Sequence, residues 1–146
     1  MFRLKFNKLL QIFKTILDQK IIFVLRQIIN SLIDNAIKFT SKGHIILRVS
    51  SKAINSKLAC LSISVEDSGI GLSETQVKAL LENHTAEDTA KTDRGLGLKI
   101  VQMLLGVQGE SLKVISKQGQ GSRFFFELHM PYESASEKDV KPSPLP

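Results

Sequence analysis

Ser31, Asn35 and Lys38 are spaced by four and three residues, with Gln27 a turn earlier, so on a helix they share one face. An asparagine amide oxygen is a hard, neutral ligand suited to Mg²⁺, and a lysine one turn on can neutralise phosphate as a point charge. The plain alternative is the polar stripe of an ordinary amphipathic helix. Asp67, followed by Gly69 and Gly71, sets a carboxylate beside two residues that let another molecule approach the backbone closely. A carboxylate accepts a hydrogen bond from the exocyclic amine of adenine and has nothing to donate to the carbonyl of guanine. An Asp-Ser-Gly turn after a strand reads equally simply as a turn. Arg94-Gly95-Leu96-Gly97-Leu98 places two glycines and a cation just before a helix, where orphan backbone N–H groups and the helix dipole attract anions. Helix initiation from a flexible loop would use the same residues.

The elements that must position these groups are legible from apolar periodicity. From roughly Asp18 to Phe39, Ile21, Leu25, Ile28, Leu32 and Ala36 recur at spacings of three and four, and Ile22, Ile29, Ile33 and Ile37 widen the stripe. That pattern predicts an amphipathic helix packing on a sheet. Ser41-Lys42-Gly43 turns into a β-branched strand over 44–50, and Asn55-Ser56 marks the next turn. Ala59, Leu61, Ile63 and Val65 then alternate with Ser62, Ser64 and Glu66, a strand that delivers Asp67 to its end. Ser73 followed by Gln76 is a capping box opening a short helix through Val77, Leu80 and Leu81. The stretch from Glu82 to Asp93 is polar and aperiodic, which predicts a mobile loop. Leu98, Val101 and Leu105 share one face of a further helix. Two strands follow, over 112–116 and 123–130, joined by Gln118-Gly119-Gln120-Gly121, with Phe124, Phe126, Leu128 and Met130 facing inward. Phe2 to Phe6 suggests a short edge strand, and the proline-bearing tail over 133–146 reads as a linker after a single domain over 1–132. The fold expected is α+β: a two-layer sandwich with helices on one face of a mixed, largely antiparallel sheet.

In their order and in these surroundings, the segments Asn35-Ala36-Ile37-Lys38-Phe39-Thr40, Asp67-Ser68-Gly69-Ile70-Gly71 and Arg94-Gly95-Leu96-Gly97-Leu98 resemble the N, G1 and G2 boxes of the GHKL ATPases, whose fold is of the Bergerat type. The likeness is greatest to the ATP-binding catalytic domain of sensor histidine kinases, and it covers roughly Leu25 to Leu128. It implies ATP and Mg²⁺ as cofactors. It also implies that Asn35 holds the metal, Lys38 touches phosphate, Phe39 packs on adenine and Asp67 reads the base. The third segment, Arg94 to Leu98, would bind the triphosphate and hinge a lid over it. Gly121-Ser122 resembles the smaller G3 box, although a hairpin turn is as good a description, and Ser31 lies on the ATP-binding face of the first helix. Partners implied are a dimerising helical module bearing the phosphoacceptor histidine, and a response-regulator receiver.

This chain departs from the family pattern at identifiable places. Ser31 stands where the family usually carries Asn or Glu, Leu81 and His84 replace two phenylalanines, and Asp93 replaces the first glycine of the third box. None of the three histidines, His44, His84 and His129, has the surroundings of a phosphoacceptor. Two other readings therefore stay open: a degenerate nucleotide-binding interaction module, and an anti-sigma-type protein serine kinase. The net charge of +6 comes from scattered lysines with no tryptophan among them, which argues against a nucleic-acid interface. The longest apolar run, Ile21 to Leu25, is too short to cross a bilayer, so no membrane contact is expected of this fragment. A single cysteine, Cys60, excludes a disulfide framework and a multi-thiolate metal site. A cytoplasmic location is expected, with any membrane anchor elsewhere in a longer protein.

Overall fold

A computed structural model describes residues 19–82 and 95–131. Helix α1 (Gln19–Phe39) is followed by strands β1 (Ile45–Ala53) and β2 (Leu58–Asp67), helices α2 (Glu74–Leu81) and α3 (Gly95–Val107), and strands β3 (Lys113–Lys117) and β4 (Gly121–Pro131). The strands form one sheet in the order β1-β2-β4-β3, and each of these pairings is antiparallel. The expected strand at Phe2–Phe6, the loop beyond Glu82 and the tail from Glu133 lie outside the described residues.

The α1 stripe does what its spacing dictates except at Ile37, which is expected to widen it but is exposed near the end of the helix, while Ile29 and Ile33 pack against the core. Leu25, Ile28, Leu32 and Ala36 are buried, while Arg26, Gln27, Asn30 and Asp34 on the other side are exposed. Opposite them, the alternation along β2 buries Ala59, Leu61, Ile63 and Val65, and that along β4 buries Phe124, Phe126, Leu128 and Met130. Leu98, Val101 and Leu105 of α3 complete the core, with α3 packed against α1. Removing each large side chain of this set from water contributes about 1.5–3 kcal/mol, so the two layers are held chiefly by this shared apolar face. The other face of the sheet is polar: Arg48 of β1 bonds Glu66 of β2, and Lys113 of β3 pairs with Glu127 of β4.

Two expectations shift at element ends. β1 runs on through Ser51, Lys52 and Ala53, because these residues pair in register with Leu61, Cys60 and Ala59. Partner strands thus override a polar local composition. The second difference concerns the third glycine segment. Gly95 and Gly97 lie inside the first turn of α3 rather than before it. The first-turn N–H groups remain the ones without intrahelical partners. The capping box is as expected: Ser73 Oγ accepts from Gln76 N at 3.3 Å, and Gln76 Oε1 accepts from Ser73 N at 2.9 Å.

Candidate nucleotide site

The last residue of β2 is Asp67, and the register of the central strand pair sets Ser122, near the start of β4, directly across from it. Because side chains alternate along a strand, the phase that buries Val65 also turns Asp67 toward the helix layer. Asp67 is 3% exposed. One oxygen, Oδ1, accepts from Gly69 N at 2.9 Å and lies 3.5 Å from the Thr40 hydroxyl. The other, Oδ2, is buried and has no hydrogen-bond partner. A charged oxygen left without a donor costs about 1–3 kcal/mol or more. Folds retain such an atom where something else satisfies it.

The loop after Asp67 is stitched on three sides. Ile70 N donates to the Phe39 carbonyl at 3.2 Å, joining the loop to the end of α1. Ser68 N donates to the His44 carbonyl at 3.1 Å, and Ser68 Oγ accepts from His44 N at 2.9 Å, joining it to the entry of β1. Gly119 N donates to the Ile70 carbonyl at 2.7 Å, which ties in the turn between β3 and β4. Glycine is required twice in this stretch. A Cβ on Gly69 would run into the Phe39 carbonyl, and Gly71, at φ +67°, has the Lys117 carbonyl where its Cβ would be. The Asp-Ser-Gly turn is therefore a closely packed junction, not a solvent-exposed bend.

Phe39, half-buried at the end of α1, carries the Lys38 ammonium 5.3 Å above its ring centroid. One turn earlier Asn35 is buried, and its amide Nδ2 has no partner. These two orphans, Asn35 Nδ2 and Asp67 Oδ2, are the unpartnered buried side-chain polar atoms among the described residues. Both belong to residues singled out from sequence for chemistry. Ser31, two turns before Phe39, accepts from Gln27 Nε2 at 3.4 Å on the exposed side. The sequence-selected residues Phe39, Asp67, Gly69, Gly71 and Ser122 thus meet at one end of the sheet, and Asn35 and Lys38 stand on the helix that leads there.

The third segment divides. Leu98 is buried in the core, Leu96 is exposed, and a Cβ on Gly97 would meet nothing among the described residues, so internal packing does not require glycine there. Gly95 opens α3, whose packing on α1 brings the segment into the same layer. Arg94 and Asp93 lie outside the described residues. Sequence reasoning overlooked two groups: Thr40, which faces Asp67, and Ser116 of β3, whose hydroxyl accepts from Leu72 N at 2.8 Å and lies 2.8 Å from Ser122 Oγ. A serine at an inward phase of β3, in step with Val114, was the available signal.

Residues 22–132 match the family model of the histidine kinase-, DNA gyrase B- and HSP90-like ATPases. The chain belongs to that family. Among curated relatives, the sensor histidine kinase GacS of Pseudomonas protegens is 35% identical over 125 residues, covering 83% of this chain and 14% of that protein. BarA of Escherichia coli K12, a signal transduction histidine-protein kinase, is 33% identical over 110 residues, covering 73% and 12%. The chain therefore spans about a seventh of the length of the curated relatives it matches. Of solved structures, full-length ShkA in complex with AMPPNP superposes with a TM-score of 0.56 at 31% identity, covering 77% of this chain and 22% of ShkA. The mycobacterial sensor histidine kinase MprB, at 22% identity and a TM-score of 0.51, shares the fold. The domain is an ATP-binding catalytic domain of the histidine kinase type, and its two-layer fold is the one expected. No described helix is long and apolar enough to cross a membrane.

Proposed function

We propose that this domain binds Mg-ATP with adenine at Asp67, and passes the γ-phosphoryl group to a histidine on a separate helical module. The observation that carries the reading is the buried, unpartnered Oδ2 of Asp67. An exocyclic amine is the donor that would satisfy it, and a guanine carbonyl would face it lone pair to lone pair. The ATP-family match and the AMPPNP bound to ShkA support the same ligand class.

The residues present fit the cofactor. Asn35 offers one neutral amide whose nitrogen lacks a partner, and a half-turn of that amide exchanges nitrogen for oxygen. Among the described residues no three His, Cys, Asp or Glu side chains could hold a metal. A cation carried in on phosphate oxygens, with Asn35 as a protein ligand, suits this donor set. Mg²⁺ would supply charge neutralisation for the transferring phosphoryl group. Phe39 would pack on the base, Lys38 would meet phosphate, and Ser31 would flank Asn35. Gly69 and Gly71 would admit the base, and Ser122 would line its pocket. Arg94, Gly95, Leu96, Gly97 and Leu98 would supply the phosphate segment, where the open space at Gly97 suits close approach of a ligand to backbone N–H groups. The chemistry left to the protein is positioning and electrostatic stabilisation, because the acceptor supplies the nucleophile.

The acceptor comes in trans. His44 is exposed at the entry of β1, where its backbone bonds Ser68 beside Asp67, and His129 Nδ1 is bonded 2.8 Å from Glu110 Oε1 on the outer face of the sheet; neither has the sequence surroundings of a phosphoacceptor. The relatives are several times longer than this chain, which agrees with an acceptor module and a receiver supplied elsewhere. We read residues 1–132 as the domain and 133–146 as a tail, in line with the end of the family match, and place the domain in the cytoplasm. Incubation with γ-labelled ATP and a purified histidine-bearing helical module tests the proposal. Acid-labile label should appear on the added module and none on the domain alone; acid-stable label on serine, or no transfer alongside ATP binding, would overturn it.

A further inference from the structure

Asp67 Oδ2 has no partner although a hydroxyl, that of Ser122, stands across the strand pair from it. Directly opposed residues on one face of an antiparallel pair bring their Cβ atoms within about 5 Å of each other, and a hydroxyl rotates freely to serve an ionised carboxylate. Counting protons around Ser116 accounts for the failure to do so. The Ser116 hydroxyl owns one proton and two lone pairs. The Leu72 N–H uses one lone pair at 2.8 Å, and the Gly121 carbonyl, which can only accept, takes the proton at 3.0 Å. The contact between Ser116 Oγ and Ser122 Oγ at 2.8 Å is then satisfied in one direction: Ser122 donates to Ser116. That arrangement saturates Ser116 and commits the only proton of Ser122 away from Asp67.

We propose that Ser116 is a specificity-positioning residue: by holding the Ser122 proton it keeps the free oxygen of Asp67 open for the amino group of the incoming base. The proposal rests on the reading of Asp67 as the adenine contact. The same geometry leaves Ser122 with no proton to offer a base, so neither it nor Asp67 Oδ2 presents a donor there. Such an edge suits an amino-purine and repels a 6-oxo-purine. Ser116 touches neither, and acts through Ser122 and through the Leu72 N–H that it fastens.

A mutant cycle on the full chain, read by calorimetric titration with Mg-ATP and Mg-GTP, tests this. Ser116→Ala releases the Ser122 hydroxyl, which can then satisfy Asp67 internally. ATP affinity should fall about tenfold, the effect of one competing hydrogen bond, and the ATP-to-GTP ratio should fall with it. In the S122A background the same Ser116→Ala change should cost less than about twofold, since no hydroxyl remains to compete. Ser116→Thr, which keeps the hydroxyl, should retain the wild-type ratio. Thermal melts check each fold, and Ser116→Cys takes the place of the alanine variant if that variant is unfolded. An equal loss from Ser116→Ala with and without Ser122 would reduce Ser116 to a loop clamp and overturn the proposal. An unchanged affinity in S116A would overturn it as well. Asp67→Ala keeps the two failures apart: if it leaves ATP affinity intact, the adenine reading itself falls and this inference falls with it.

Discussion

Asp67 combines two demands that usually conflict. Its Oδ1 organises the turn through Gly69 N, while Oδ2 is held ready at a cost to the unliganded fold. Replacing it with asparagine separates them. The amide oxygen can keep the bond from Gly69, and the amide nitrogen then presents donors where Oδ2 presented lone pairs. Asp67→Asn should lower ATP affinity about tenfold or more and raise affinity for GTP or ITP, while folding stability in urea changes by no more than about 1 kcal/mol. Titration of the three nucleotides and a denaturation curve check both halves. A variant that loses ATP and gains no 6-oxo-purine would show that Asp67 does not face position 6 of the base.

At the scale of elements, what the chain announced in advance was whatever depends on local periodicity. The 3.6-residue recurrence of Leu25, Ile28, Leu32 and Ala36 and the alternation of Ala59 through Val65 are burial patterns, and burial follows them. Ser73 and Gln76 likewise cap α2 because the required atoms lie three residues apart. The rest depends on contacts far apart in sequence. The extension of β1 through Ala53 depends on β2, and the bond from Gly119 N to the Ile70 carbonyl depends on a turn nearly fifty residues away. Ser116 is the clearest case. Its neighbours in sequence mark it as an ordinary strand residue, and only the folded sheet sets it beside Ser122 and Leu72. The third glycine segment was legible as a motif, yet its glycines needed the structure to place them inside the helix turn.

The outer sheet face yields a prediction at this scale. The Arg48 guanidinium bonds Glu66 across β1 and β2, and this hydrogen bond, reinforced by the charge of Arg48, holds the Glu66 carboxyl below its usual pKa. A depressed carboxylate contributes stability above its unfolded pKa and loses it as pH falls through the folded value. Arg48→Ala should therefore lower the melting temperature slightly at neutral pH, and the difference should shrink as pH falls through the folded pKa of Glu66. Added salt should shrink the neutral-pH difference, since the pair is solvent-exposed. Melting curves of the two proteins across pH at low and high salt measure this. A difference that persists undiminished in strong acid would place the effect of Arg48 in packing rather than charge.

For the whole molecule, the sheet works as a spacer with unlike ends. Asp67 and Ser122 meet at one end, and the β1–β2 turn, where Asn55 Oδ1 accepts from Lys57 N, closes the other. Ten residues of β2 at about 3.3 Å each put roughly 30 Å between them. The Asp67 end, where we propose the nucleotide binds, is built from three remote stretches, the end of α1, the turn after β2 and the β3–β4 turn, so it forms only when the sheet is whole. The far turn has no such duty, and lengthening a loop adds only about 0.6 kcal/mol per doubling. A dozen Gly/Ser residues inserted between Ser56 and Lys57 should leave ATP affinity within about twofold, whereas the same insert between Gln118 and Gly119 should abolish it by freeing Ile70 and Gly71. Binding isotherms of the two insertion variants decide it. The turn at 54–57 is thus a port: a dye, an affinity handle or a second domain grafted there would leave the Asp67 end untouched.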